Sequence, residues 1–183
     1  MNVHAPEETS WVEHAAQGDR DAFARLVDRY WDKVRRFLLG MSGKNHLAEE
    51  VAQEAFLKAW TALPTLREPA TFRVWLFQIA RRCWVDARRR SWAHLRVPME
   101  GELEGKHDGP LMSILDDESQ AQLQAALALL PTKFRAAYLL WTQEEMPYAE
   151  IASILGISEE TARWRVCKAR QDLVHTLTAY LHQ

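Results

Sequence analysis

Residues 148–170, "YAEIASILGISEETARWRVCKAR", set two short helix-patterned segments on either side of one glycine. Tyr148, Ile151, Ala152 and Leu155 recur at helical spacing on one face of the first segment. Gly156 supplies the turn, Ser158 the cap, and Glu159 with Glu160 an acidic first turn for the second segment. At about 3.6 residues per turn, Ala162, Val166, Ala169 and Leu173 fall within one narrow arc and are predicted to point inward. The opposite arc carries Glu160, Arg163, Trp164, Cys167 and Gln171, with Lys168 at its edge. A face that meets only water more often shows Glu–Lys pairs, and an exposed tryptophan is costly unless something covers it. The spacing predicts a helix-turn-helix whose second helix enters the major groove. There arginine pairs with guanine edges, glutamine with adenine, and lysine with phosphate.

Upstream of this pair, "SQAQLQAALALLPTKFRAAYLLWTQEEMP" reads as helix, a break at Pro131, and helix again. A small all-α domain over residues 119–183 follows, balanced at six basic and six acidic residues. Residues 97–118, "VPMEGELEGKHDGPLMSILDDE", hold one lysine against seven acids, with three glycines and two prolines. That composition predicts a flexible acidic linker. It serves as a solvated tether, or else it imitates a nucleic-acid strand or lies in a basic channel of a partner.

Residues 1–96 carry 16 Lys and Arg against 12 Asp and Glu, and helical periodicity dominates them. In "DAFARLVDRYWDKVRRFLLGM" one stripe takes Phe23, Leu26, Val27, Tyr30, Val34, Phe37 and Leu38, and the break "GMSGKN" ends it. Asn45 is placed to cap the next helix, "HLAEEVAQEAFLKAWTAL". That helix has an apolar stripe wider than one small core needs, with Gln53, Glu54 and Leu57 outside its centre. Pro64 stops it, "PTLREPA" forms a loop, and Thr71 is placed to cap "FRVWLFQIARRCWVDARRR". The inner stripe of this last helix is Phe72, Trp75, Leu76, Ile79, Ala80 and Cys83. Its far end mixes Arg81, Arg82, Arg88, Arg89 and Arg90 with Trp84 and Trp92. Guanidiniums attract phosphate and exposed aromatics stack on unpaired bases, so the pattern suits single-stranded nucleic acid. The plainer reading of Arg88–Arg90 is a neutralised helix C-terminus facing water.

The bulk numbers exclude several classes. The net charge of −2 is not that of a polycation, and 48% hydrophobic residues with 26% charged are ordinary for a globular protein. Cys83 and Cys167 lie far apart without CxxC spacing, so a reducing cytoplasmic setting is expected, with Cys83 in the core. No signal peptide or membrane span is visible. No Gly-rich phosphate loop, HExxH or GxSxG occurs, and the seven histidines are scattered. Neither an enzyme, a metal site nor a cofactor is expected.

The two halves together resemble a sigma factor of the extracytoplasmic-function (ECF) type in the sigma-seventy family. "DAFARLVDRYWDKV", "LAEEVAQEAFLKAW" and "FRVWLFQIARRCWVDARRR" are similar to region two. "ALALLPTKFRAAYLL" and "YAEIASILGISEETARWRVCKAR" are similar to region four. The resemblance implies region two over 1–96, a linker over 97–118, and region four over 119–183. It further implies binding to core RNA polymerase, through its β′ clamp helices and β flap, and to promoter DNA, with an anti-sigma protein as an additional partner. By motif position, Glu50, Gln53, Glu54 and Leu57 would meet polymerase. Arg163, Trp164, Cys167, Lys168 and Gln171 would read the minus-thirty-five element. Arg67, Thr71, Arg81, Arg82, Trp84, Arg88 and Arg89 would hold the minus-ten element as single strand.

Several residues depart from the family pattern. The loop commonly reads like "FRGEASF" where this chain has "LREPATF", so Glu68 stands for glycine and Pro69 stiffens the turn. Arg82 takes a place often held by Asn, Trp164 that of a small residue, and Cys167 that of His or an aromatic. Two other readings stay open on sequence alone: a helix-turn-helix regulator without polymerase activity, and a sigma-like decoy for an anti-sigma protein.

Overall fold

The computed structural model describes residues 6–94 and 117–181. All regular structure among them is helical: α1 (Pro6–Ala16), α2 (Arg20–Ser42), α3 (Asn45–Ala62), α4 (Phe72–His94), α5 (Asp117–Leu129), α6 (Thr132–Glu144), α7 (Tyr148–Leu155) and α8 (Glu159–Leu181). Two 3₁₀ turns, Leu63–Thr65 and Pro69–Thr71, carry the chain from α3 to α4. The all-α expectation therefore holds. The acidic linker lies outside the described residues except at its end, where α5 already begins at Asp117.

Local sequence explains most boundaries. The Asp19 carboxylate accepts from the Asp21 and Ala22 backbone N–H groups at 2.9 and 3.1 Å, a cap that contributes on the order of 1 kcal/mol. Helix α2 does not end at Gly40; it runs on to Ser42, and Gly43 closes it at φ 69° with its N–H on the Leu39 carbonyl. Asn45 is not the cap of α3. Lys44 holds that position without a side-chain bond, and the Asn45 carbonyl oxygen instead accepts from Arg35 Nη1 at 3.0 Å. Thr71 also fails as a cap: its hydroxyl donates back to the Glu68 carbonyl at 2.7 Å and tightens the 3₁₀ turn.

The first half buries one face of each of α2, α3 and α4. Leu26, Tyr30, Val34, Phe37 and Leu38 meet Val51, Ala55 and Ala59 from α3 and Phe72, Leu76, Phe77 and Ala80 from α4. Phe37 and Phe77 meet edge-on with centroids 5.7 Å apart, and Tyr30 meets Phe72 in the same way at 5.6 Å. Helix α1 was not legible in the sequence. It lays Val12 and Ala15 on α2 and on both 3₁₀ turns. Its Glu8 is buried, accepts from the Tyr30 hydroxyl at 2.7 Å, and pairs with Arg29 at 3.0 Å. Burial, then the Glu8 bond, push the Tyr30 hydroxyl pKa well above its usual range.

In the second half, Ala162, Val166, Ala169 and Leu173 turn inward from α8, as their spacing predicted. They meet Ala137 and Leu140 of α6 and Ile151, Ala152 and Leu155 of α7. Gly156 ends α7 at φ 66°, a left-handed conformation that L side chains rarely adopt. The halves also pack on each other, α2 against α6 and α4 against α7. Gly40 sits at that seam: a Cβ there would lie 2.7 Å from Leu139 Cδ1.

Candidate nucleic-acid and polymerase interfaces

The α7–α8 pair presents the face that its periodicity predicted. Ser158 caps α8, its hydroxyl accepting from the Thr161 N–H at 3.1 Å. Arg163, Trp164, Cys167 and Gln171 are exposed, and Lys168 is half-buried. Trp164 keeps 55% of its surface in water while one ring edge rests on Phe134 at 5.4 Å. The Arg163 guanidinium lies over Tyr148 at 5.2 Å and pairs with Glu159 at 3.4 Å. Lys168 pairs with Asp172 at 2.8 Å. Both ion pairs are (i, i+4) contacts at the surface, Arg163–Glu159 exposed and Lys168–Asp172 half-buried, each of a few tenths of a kcal/mol that a phosphate or base edge displaces easily.

The strand-binding candidates are split in two. Arg67, Thr71, Arg82, Arg88 and Arg89 are exposed. Arg81 is half-buried; burial, then Arg165 and Arg82, lower its pKa from the usual guanidinium range. Arg88 lies 5.1 Å above the Trp84 ring and donates to the Thr132 hydroxyl at 3.1 Å. Trp84 was expected as an exposed stacking platform, yet it is 6% exposed and belongs to the core. Helix α4 is long enough to turn that ring beneath Arg88, a register that aromatic–basic alternation does not disclose. Trp92's side chain lies outside the described residues.

On α3, Glu50, Gln53 and Leu57 face solvent, Leu57 with 70% of its surface exposed. Glu54 was expected to be open to a partner and is not. It pairs with Arg90 at 2.8 Å and with Lys58 at 2.7 Å. The bonds to Arg90 and Lys58 lower its carboxyl pKa from the ordinary value. Beside it, α2 and α3 enclose a half-open cleft of about 550 Å³, lined by Phe23, Trp31, Gln53, Phe56, Leu57 and Trp60, with Arg20 at its edge. Phe23 and Trp60 meet in a tilted pair with ring centroids 4.8 Å apart, and Trp31 and Phe56 in another at 5.8 Å. These aromatics are absent from the sequence-based site. Their signal was the excess width of the α3 stripe, which had no second core to serve.

Residues 26–94 match the family model for sigma-70 region 2, and residues 120–173 match that for sigma-70 region 4. Together with the all-helical fold, these define a transcription initiation factor of the sigma-70 class. The chain belongs to the ECF group of that family: it is 33% identical to the ECF RNA polymerase sigma factor SigE of Mycolicibacterium smegmatis, over 91% of this chain and 67% of that one. It is also 30% identical to the RNA polymerase sigma-H factor of Pseudomonas aeruginosa, covering 94% of both chains. Among solved structures, CnrH in complex with the cytosolic domain of CnrY superposes with a TM-score of 0.73 at 25% identity, covering 94% of this chain and 98% of CnrH. Proteins of this family bind core RNA polymerase and promoter DNA. Among the described residues no helix is long and apolar enough to cross a membrane.

Proposed function

We propose that this ECF sigma factor directs core RNA polymerase to a particular set of promoters in the cytoplasm and helps to melt them. The observation that carries the reading is the exposed Arg163–Trp164–Cys167–Gln171 face, set on a capped recognition helix with only weak local ion pairs to lose. Residues 119–183 then read the minus-thirty-five duplex, Arg163 and Gln171 at base edges and Lys168 at phosphate. Residues 1–96 hold the minus-ten strand along Arg67, Thr71, Arg82, Arg88 and Arg89, with Arg81 and Trp84 behind them. A base leaving the stack costs a few kcal/mol, and a pocket that accepts it returns that energy.

Glu50, Gln53 and Leu57 are the polymerase contacts, joined by the aromatic cleft beside them. Glu54 acts through Arg90 and Lys58 rather than as an open carboxylate. An anti-sigma partner fits the same reading, since CnrH was solved with the cytosolic domain of another protein. Run-off transcription from a promoter library, with core polymerase alone and with this chain added, tests the proposal. Transcripts that require the chain and share a two-part upstream motif support it; none, from active core and folded chain, overturns it.

A further inference from the structure

The loop that carries Arg67 and Thr71 has little of its own to hold it in shape. Its regular structure is two single 3₁₀ turns, Leu63–Thr65 and Pro69–Thr71. The Leu66 N–H closes the first on the Leu63 carbonyl at 3.0 Å, and the Thr71 N–H donates to the Glu68 carbonyl at 2.9 Å. Such turns are short and their hydrogen bonds poorly aligned, so their shape comes from what lies behind them. At a period of three, Leu66 and Pro69 are half-buried and Phe72 is fully buried, while Arg67, Glu68, Ala70 and Thr71 are exposed. The exposed set is the face offered to a strand. The inward set decides where that face sits.

Helix α1 packs on both turns as well as on α2. Its buried side is Glu8, Val12 and Ala15, one stripe at helical spacing. Val12 and Ala15 are ordinary core. Glu8, at 3% exposure, is the most buried charged side chain among the described residues. Both of its carboxylate oxygens are engaged, Oε1 by the Tyr30 hydroxyl at 2.7 Å and Oε2 by Arg29 Nε at 3.0 Å. Tyr30 in turn meets Phe72 edge-on with centroids 5.6 Å apart, and the Phe72 N–H closes the second turn on the Pro69 carbonyl. An unbroken line of contacts therefore runs from Glu8 through Tyr30 and Phe72 to Pro69, from α1 into the loop.

A buried ion pair is a poor way to stabilise a fold, because apolar residues of similar volume hold two helices together as well or better. What it adds is register. A leucine slides along an apolar groove at little cost. A carboxylate bonded by a hydroxyl and a guanidinium from adjacent positions of α2 has one axial setting. A base that leaves the stack needs a pocket already in shape, to within about 0.5 Å. We propose that Glu8 is a positioning residue for minus-ten recognition: bonded to Tyr30 and Arg29, it fixes α1 in register behind the 66–72 loop and so sets, from behind, the base preference of the loop's exposed face. The inference rests on the strand-holding role given to Arg67 and Thr71 above.

The test uses core polymerase with the whole chain, on a promoter taken from the library transcription and on its single-base variants in both upstream elements. Glu8→Leu combined with Tyr30→Phe removes the carboxylate and the hydroxyl together, and Arg29, already exposed, turns to water. The melting temperature should stay close to wild type. Discrimination between the best and worst base at a minus-ten position should fall on the order of tenfold, the cost of one mismatched base. Discrimination at minus-thirty-five positions should not change. Glu8→Gln keeps an acceptor for Tyr30 and should retain most of the minus-ten preference, whereas Tyr30→Phe alone should lose part of it. That contrast decides the matter even where the double variant fails to fold. Equal losses at both elements make Glu8 a general stability residue and overturn the proposal. So does wild-type minus-ten preference in a folded double variant or in Tyr30→Phe. A wild-type chain that initiates without any minus-ten preference brings down the strand-holding reading and the role of Glu8 with it, whereas a preference that the variants keep refutes the role of Glu8 alone.

Discussion

The Arg73 guanidinium and the Glu144 carbonyl, 71 residues apart in sequence, meet at 2.5 Å in a buried hydrogen bond. One end of it is the start of the basic helix, the other the buried C-terminal end of a helix dipole. Cation and helix C-terminus attract, and the bond also satisfies a carbonyl that α6 itself cannot.

The Glu144 side chain at the same junction gives the seam a pH dependence. Burial raises its carboxyl pKa above the ordinary 4.5, against the opposing pull of Arg36, Lys33 and Arg73. A carboxyl whose folded pKa is raised contributes stability that is present below the unfolded pKa and lost as pH rises through the folded pKa. Glu144→Gln should therefore gain in melting temperature over wild type as pH increases from 4.5 toward neutrality. A constant difference between the two melting curves across that range would show that Glu144 is not desolvated.

Tyr30 anchors α1 through Glu8, with Phe72 edge-on at its ring. Tyr30→Phe removes the donor but leaves the Glu8 carboxylate with Arg29. The expected loss is about 1 kcal/mol, read from the urea midpoint, and not the larger penalty of an unpaired buried carboxylate. A much greater loss would mean that Arg29 does not sustain Glu8 by itself.

Leu57 and Glu54 differ in what they offer a partner. Leu57→Asp should weaken core polymerase binding at least tenfold, by placing charge beside the aromatic cleft, with helical circular dichroism unchanged. Glu54→Ala should weaken it by less, since that carboxylate already serves Arg90 and Lys58. Fluorescence titration of labelled chain with core polymerase ranks the two, and the opposite ranking would return Glu54 to the contact set.

Arg163 and Lys168 should separate base reading from phosphate contact. Arg163→Ala is expected to cost about 1–3 kcal/mol at one promoter position, and Lys168→Ala to weaken all sequences alike. Competition binding on single-position promoter variants measures both. A uniform loss for Arg163→Ala reassigns it to the backbone.

The two cysteines should react unequally. Cys167 is exposed and Cys83 is fully buried, so a thiol reagent should modify one equivalent quickly in the folded chain and two after denaturation. Two fast equivalents would show that α4 does not hold Cys83 in the core.

The recognition helix was legible because its information is local. Ser158, Gly156 and the (i, i+3, i+4) row Ala162, Val166, Ala169, Leu173 fix cap, turn and inward face within one stretch of chain. Once one face must be buried, the other is exposed by geometry. The stripes of α2, α3 and α4 were read in the same way. Helix α1 was missed because it buries little beyond Val12, Ala15 and Glu8, too few positions to set a period.

Side-chain use between helices lay beyond the sequence. Trp84, Glu54 and Asn45 were each assigned by type and position. Each is instead committed to a partner on another element or to the core: Glu54 to Arg90, Asn45 to Arg35, Trp84 beneath Arg88. Gly40 looked like the end of a helix, and only the approach of Leu139 shows why a glycine sits in mid-helix. Periodicity specifies which face of a helix turns inward. Only the packed chain decides what stands opposite, because contacts such as Arg73–Glu144 depend on how two separately patterned halves meet.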